Sequence, residues 1–205
     1  MSILRTERLL LRKLDLHDAG FILELSNETA FIRFIGDKGV RTLADAREYL
    51  LKGPIASYER WGFGLYSTCI PGGSAATHGT AIGICGLVKR DSLPDVDLGF
   101  AFLSRYRSKG YAVESASAVL HYARTALRLH RIVAITAPDN AGSIAVLEKI
   151  GLVFERMIRL GETSPELRLY GPAQSADSPT DPGPRDPGPR EPGPGTLDSV
   201  DDTGA

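Results

Sequence analysis

Cysteine is nearly missing from this chain, with Cys69 and Cys85 the only two in 205 residues. They are too few and too widely spaced for a metal cluster. Both fall in segments expected to be strands, where cysteine acts as a small, reduced, buried apolar residue. The four histidines, His17, His78, His121 and His130, show no ligand spacing, so no metal site is implied. Neither Gly-x-x-x-x-Gly-Lys-(Ser/Thr) nor Gly-x-Gly-x-x-Gly occurs, which argues against a nucleotide-binding protein. Long apolar runs are absent as well. The stretch Met1-Ser2-Ile3-Leu4-Arg5-Thr6-Glu7 interrupts its apolar residues with charge, so neither a signal peptide nor a membrane span fits, and the expected location is the cytoplasm.

A strong charge of one sign is lacking too, the net being −1 at pH 7. That balance hides an asymmetry: Ala173 to Ala205 holds seven acids against Arg185 and Arg190, leaving the first 172 residues at +4. A mildly basic domain suits an anionic cofactor, but the imbalance is far too small for a nucleic-acid surface. With 42% hydrophobic residues, the chain can supply one domain with a full core, expected over 1–172. The remainder, 173–205, repeats an acid-Pro-Gly-Pro-(Arg/Gly) pentapeptide from Asp181, Asp186 and Glu191 and has Leu197 and Val200 as its only large aliphatic residues. It cannot bury enough surface to offset the ordering of its backbone, so it is expected to be a disordered tail, either solubilising or partner-binding.

What is present is a regular alternation of strand and helix patterns. Leu9–Leu14 reads as a strand, Asp15–Asn27 as a helix, and Thr42–Arg60 as a second helix with Thr42 and Asp45 at capping-box spacing. Phe63–Ile70 and Thr80–Lys89 read as an antiparallel pair across the loop Pro71–Gly79, followed by a strand at Val96–Leu103 and a long helix at Gly110–Leu129. A β-branched strand at His130–Thr136, a short helix between Asn140 and Gly151, and strands at Val153–Leu160 and Glu166–Tyr170 complete the pattern. The order β-α-α-β-β-β-α-β-α-β-β predicts an α/β (α+β) fold: a mixed, mostly antiparallel sheet with helices on both faces.

Two connections carry the chemical signal. Arg107-Ser108-Lys109-Gly110-Tyr111-Ala112 links a strand to the start of a helix. Such a turn leaves backbone N–H groups pointing one way, with the helix dipole behind them and two cations beside them, as a pyrophosphate requires. Asn140-Ala141-Gly142-Ser143 opens the second helix, with Asn140 as its N-cap and Gly151 as its stop.

Together the two segments resemble those of the Gcn5-related N-acetyltransferase (GNAT) superfamily: the first its acetyl-CoA pyrophosphate loop, the second its Asn-x-x-Ser helix. The run Thr6-Glu7-Arg8-Leu9-Leu10-Leu11-Arg12 with Asp18-Ala19 is similar to the start of the subgroup that acetylates N-terminal amines of ribosomal proteins. The resemblance spans Ile3 to Pro172 and implies acetyl-CoA as co-substrate, a GNAT-like sheet, and an amine acceptor that is either a protein N-terminus or a small molecule. It implies cofactor contacts from Arg107, Ser108, Lys109, Gly110, Tyr111, Ala112 and Asn140. Family members bulge the preceding strand and feed the pantetheine arm against it, so the backbone of Phe100, Ala101 and Phe102 joins this set, with Gly99 able to accommodate a bulge. Many relatives carry a Tyr four residues after the Ser143 position as the acid for the leaving thiolate. Here that residue is Leu147, and the resemblance turns the role to Ser143, whose other reading is an ordinary helix residue.

Amide formation from a thioester also needs a neutral amine. Asp97 interrupts the alternation of Val96, Leu98, Phe100 and Phe102 and so projects from the opposite face of the strand leading to the loop. It is the candidate base, the other reading being a solvated strand-end carboxylate. Glu114, the rival, lies in the first turn of a helix, where its charge complements the dipole. Trp61, Phe63, Phe31 and Phe34 are candidates for an acceptor groove or for the core. The expected activity is acetyl transfer by direct attack in a ternary complex, with a catalytically silent acyl-CoA-binding module as the alternative. No nucleic-acid or membrane partner is expected, and the chain is expected to be a monomer or homodimer.

Overall fold

The computed structural model describes residues 2–72 and 79–173. Most of the expected hairpin loop at Pro71–Gly79, His78 with it, and the tail from residue 174 lie outside the described residues.

Among the described residues, eight strands form one sheet in the order β1-β2-β3-β4-β5-β6-β8-β7. They are β1 (Ser2–Arg5), β2 (Leu10–Lys13), β3 (Leu65–Ile70), β4 (Thr80–Lys89), β5 (Val96–Phe102), β6 (Ile132–Thr136), β7 (Leu152–Ile158) and β8 (Leu167–Pro172). The helices are α1 (Ala19–Ser26), α2 (Thr29–Phe34), α3 (Leu43–Leu50), α4 (Ala56–Trp61), α5 (Tyr111–Thr125) and α6 (Ala141–Lys149). Neighbouring strands are antiparallel except β5 and β6, which are joined through α5 as a parallel crossover requires.

Three features depart from the sequence reading. β1 precedes the strand expected first and pairs with β2 through Leu4↔Leu11 and Arg5↔Leu10, although its four residues are too few to show a period. The stretch left between the two expected N-terminal helices, residues 28–41, contains α2, a six-residue helix with no side-chain cap. The single helix expected at Thr42–Arg60 is divided. Its start is as expected, since Thr42 Oγ1 accepts the Asp45 N–H at 3.2 Å while Asp45 Oδ2 accepts the Thr42 N–H at 2.8 Å. Pro54 then removes a backbone donor, and Leu51–Ile55 widens into a π turn before α4 resumes.

Alternation along the strands sorts the core onto two faces. Leu98 and Phe102 of β5 meet Ala116, Val119, Leu120 and Ala123 of α5 and Leu147 of α6. Ile84 of β4 and Ala101 of β5 turn the other way, against Ala19, Ile22 and Leu25 of α1, Phe31 of α2, and Ala46 and Leu50 of α3. Cys69 and Cys85 are buried and unpaired with each other, and burial pushes the Cys85 thiol up to about 12, so it offers no thiolate near neutral pH.

β5 is continuous along β4 from Val96↔Lys89 to Phe102↔Gly83, but it meets β6 only at Val96↔Ile132 and Asp97↔Val133. From Ala134 onward β6 pairs with β8. The two parallel strands therefore part just after Asp97. The bulge expected near Gly99 is not formed; strand parting opens the sheet instead.

A buried ion pair fixes β2 to the start of α1. Arg12 Nη1 and Nη2 each lie 2.7 Å from an oxygen of Asp18, and both residues are buried. Asp18 also accepts the Asp15 N–H at 3.0 Å, and the pairing holds the guanidinium above its ordinary value. Removing one partner of such a pair leaves the other charge buried. Arg12→Met is expected to lower unfolding free energy by about 3 to 5 kcal/mol in urea melts at pH 7, and a loss under about 1 kcal/mol would contradict this account.

Candidate active site

The parting of β5 from β6 exposes backbone in the middle of the sheet. The Leu103 N–H donates to Ile82 O of β4 at 3.0 Å, so strand alternation turns the amides and carbonyls of Phe100 and Phe102 toward the gap, and those of Ala101 toward β4. The Phe102 carbonyl accepts Arg107 Nε at 2.8 Å, consistent with that orientation.

The connection after β5 presents backbone donors of the kind an anion seat requires. Ser108 and Gly110 adopt positive φ of 59° and 83°, so the loop turns through left-handed backbone just before the N-terminus of α5. Among the described residues, the N–H groups of Ser108 to Val113 have no acceptor. The flanking cations are placed differently from the sequence expectation. Arg107 is committed to Phe102 O and to Glu28 Oε2 at 3.2 Å. Lys109 Nζ lies 5.5 Å from the Tyr106 ring centroid.

Arg8 braces this loop from across the fold. Its Nη1 donates to Lys109 O at 3.1 Å, its guanidinium covers the Tyr111 ring at 4.9 Å, and its Nε donates to Glu114 Oε2 at 2.7 Å. Glu114 also accepts Thr6 Oγ1 at 2.6 Å and the Arg8 N–H at 2.9 Å. Burial alone would raise the Glu114 carboxyl, but these hydrogen bonds outweigh it and hold the group below the usual range. Glu114 thus anchors the segment before β2. Thr6 and Arg8 stood out in the sequence only as part of a motif; their contact with the loop spans about a hundred positions and has no local signature.

α6 begins as expected. Asn140 Oδ1 accepts the Ser143 N–H at 3.1 Å, which makes Asn140 the N-cap and sets Ser143 in the first turn, half-buried. Leu147, one turn further on, is 1% exposed and belongs to the core, so it contributes no polar group.

Two cavities meet at this point. One, of about 790 Å³, is lined by Phe100, Ala101, Phe102, Arg107, Ser108, Gly110, Tyr111, Ala112, Asn140 and Ser143; Lys109 is not in its wall. The other, of about 580 Å³, lies on the α2–α4 side and has Phe31, Phe34, Trp61, Tyr49 and Asp97 in its lining. Both touch Phe31, Phe34, Ile35, Phe100, Asn140 and Ser143, so these residues form the shared wall. Phe63 instead is buried in the core. The π turn contributes Lys52, Gly53 and Pro54 to the second cavity, a placement typical of such irregularities.

Asp97 is 1% exposed rather than solvated. Its Oδ2 accepts Arg90 Nε at 2.7 Å, while Oδ1 is buried without a hydrogen-bond partner among the described residues. Burial is the largest influence on the carboxyl and lifts it to about 6, against Arg90 and a weaker contribution from the Ile135 amide. Among the described residues, no three His, Cys, Asp or Glu side chains gather in a way that would hold a metal ion. None of the described helices is long and apolar enough to cross a membrane.

A sheet parted beside an amide-rich loop, with a capped helix across the gap, defines a class of protein with room for an extended anionic ligand between its strands. Comparison with known proteins makes this specific. The family described as acetyltransferase (GNAT) domain matches residues 8–153, and the chain belongs to that family, as an acetyl-CoA-dependent acyltransferase. It is 30% identical over 148 residues to the uncharacterized N-acetyltransferase YnaD of Bacillus subtilis, covering 72% of this chain and 80% of YnaD. A GNAT-family acetyltransferase from Bacillus anthracis superimposes with a TM-score of 0.66 at 28% identity, over 83% of this chain and 97% of the other. RimL, a ribosomal L7/L12 alpha-N-protein acetyltransferase solved with coenzyme A, shares the fold at a TM-score of 0.69 and 18% identity, over 83% and 97% of the two chains.

A side chain at Gly110 would have to adopt positive φ, and its Cβ would sit 3.2 Å from Arg8 Nη2. The backbone cost to alanine is about 1 to 2 kcal/mol. Gly110→Ala is expected to weaken acetyl-CoA binding roughly tenfold by calorimetry with the far-ultraviolet spectrum retained; an unchanged affinity would separate the loop conformation from cofactor binding.

Proposed function

We propose that the protein transfers the acetyl group of acetyl-CoA to a primary amine by direct attack within a ternary complex. The observation that carries this reading is the shared wall: a buried, half-partnered carboxylate on one side of it and an amide-rich anion seat on the other. The cofactor diphosphate sits on the amides of Ser108 to Val113, with Tyr111 and Ala112 opening α5 beneath it. The pantetheine arm follows the exposed edge of β5 at Phe100 and Phe102 toward Asn140. Lys109 supports this seat through its backbone, held by Arg8.

The amine nitrogen, entering from the Asp97 side, attacks the thioester carbonyl carbon. The oxyanion of the tetrahedral intermediate accepts a hydrogen bond from a free β5 amide. As the C–S bond breaks, the ammonium proton passes to Asp97, directly or through one water. The departing thiolate is protonated through the Ser143 hydroxyl, which takes a proton from a solvent water as it passes its own on, and Asp97 returns its proton to solvent. An acyl-enzyme route finds no support, because no Cys or Lys stands in the shared wall.

An amine with a pKa of about 8 is roughly a tenth neutral at pH 7, whereas one near 10.4 requires about 4 to 5 kcal/mol of help. A single carboxylate with a pKa of about 6 matches the weaker demand, which favours α-amino acceptors. The likeness in fold to RimL is in keeping with a protein N-terminus as acceptor, and a small-molecule α-amine meets the same chemical requirement. Thiol release from acetyl-CoA across a panel of amines tests the proposal. Silence across the panel, with acetyl-CoA still bound, would leave an acyl-CoA-binding module.

Burial keeps Asp97 protonated below about pH 6 and ionised above it. For an α-amine acceptor, log kcat/KM is expected to rise with slope two below about pH 6 and slope one from there to about pH 8, where the amine itself is neutral. Asp97→Asn is expected to remove the steeper limb and to lower the rate at pH 7 about 100-fold. Ser143→Ala is expected to lower kcat by about tenfold or more while leaving acetyl-CoA affinity within about twofold; an unaltered kcat would take Ser143 out of the reaction.

A further inference from the structure

The chamber that receives the acceptor carries a lopsided charge that the proposed chemistry does not use. Five cationic side chains line it, Lys38, Lys52, Arg60, Lys89 and Arg90, against the single carboxylate of Asp97. They come from three separate parts of the chain: the α2–α3 connection, the π turn with α4, and the end of β4. Their convergence on one mouth is therefore a product of the fold and not of a basic run in sequence.

Two of the five are neutralised. Arg90 is paired with Asp97, and Lys52 with the exposed Glu48. For the other three, no carboxylate partner is found among the described residues. Lys89 Nζ donates to the carbonyls of Leu93 at 3.0 Å and Pro94 at 2.6 Å, which fixes its position without cancelling its charge. Arg60 lies over the Trp61 ring at 4.7 Å, an arrangement that leaves the guanidinium edge open to a ligand. Lys38 is exposed at the rim. Below this rim the wall is apolar, with Phe34, Ile35 and Leu160, and at the floor lies the unpartnered Oδ1 of Asp97.

A cavity with low-dielectric walls and one sign of charge at its mouth selects ligands by field as well as by contact. A polyamine or a polyamino sugar would place its surplus ammonium groups against Lys38, Arg60 and Lys89. An acceptor with an anionic group would reverse that cost and orient its amine inward, toward the floor.

We propose that the acceptor is an amine that also bears an anionic group, carboxylate or phosphate, which Lys38, Arg60 and Lys89 hold at the mouth of the chamber while the amine reaches Asp97. This rests on the acetyl-transfer reading above and narrows its substrate class. The same chemistry is offered by a small amino acid and by a protein N-terminus with acidic residues next to it.

Matched acceptors test it. In the peptide arm, Ser-Glu-Glu, Ser-Gln-Gln and Ser-Lys-Lys amides are compared. In the small-molecule arm, phenylalanine is compared with phenylalaninamide, with rates referred to the fraction of neutral amine. The acidic member is expected to exceed the neutral one in kcat/KM by about tenfold in at least one arm, and that arm identifies the source. The Lys-Lys peptide is expected to be the poorest. In Lys38→Gln/Arg60→Gln the acidic-to-neutral ratio is expected to fall to within about threefold of one. Raising salt from about 0.02 to 0.5 M is expected to shrink the same ratio in the unaltered protein, which provides a readout that needs no variant.

Acetylation without preference for acidic acceptors, or a preference indifferent to salt and to the double substitution, overturns this proposal and leaves acetyl transfer standing. Bound acetyl-CoA with no acceptor acetylated overturns acetyl transfer, and this proposal with it.

Discussion

The constraint on which the site depends is a choice of hydrogen-bond partner. After Asp97 and Val133, β6 takes β8 as its neighbour and β5 keeps only β4, so a sheet that is continuous up to that level is parted beyond it. Unpaired backbone in a protein interior is costly unless something else satisfies it. Here the unpaired edge of β5 lines a cavity, flanked by the loop at Ser108–Gly110 on one side and the N-cap of α6 on the other. The residues of the proposed chemistry are arranged around that break. Arg107 closes its near end by taking the Phe102 carbonyl, and the buried Asp97 stands at its vertex.

Fixed geometry at such a break requires rigid surroundings, and the molecule supplies them by long-range polar contacts. Glu114 gathers Thr6 and Arg8 onto the first turn of α5, Arg8 in turn holds the Lys109 carbonyl, and the Arg12–Asp18 pair fixes the adjoining strand to α1. In the proposed reaction these groups move no proton. They hold the loop against the first turn of α5, and the diphosphate seat proposed for its backbone depends on direction more than on side-chain identity.

Much of the fold was legible because its signals are local. The Thr42 capping box, the Asn140 cap, the mostly β-branched run of β6 and the full length of β4 are all written in neighbouring residues. Asp97 was singled out because one polar residue broke an alternation, and the carboxylate does lie on the face away from α5. Its burial was not legible, since that depends on Arg90 and on β6 as well as β5. β1 and α2 escaped notice because four and six residues are too short for a period to show. The cationic mouth of the acceptor chamber escaped for a different reason: its members are scattered from Lys38 to Arg90 and share no spacing.

α2 has a further consequence. Phe31, Phe34 and Ile35, on or just after this two-turn helix, stand in the wall common to both chambers, and its Arg33 reaches across to Asp139, one residue before the α6 cap, through an exposed ion pair of 2.7 Å. A bond of that kind holds weakly and yields to salt. This helix thus supplies one side of the partition between the two chambers, and a tilt of it would reshape both. In the proposed ternary complex, occupation of either chamber would then bear energetically on the other, a thermodynamic linkage that arises from sharing a wall and requires no messenger between distant parts.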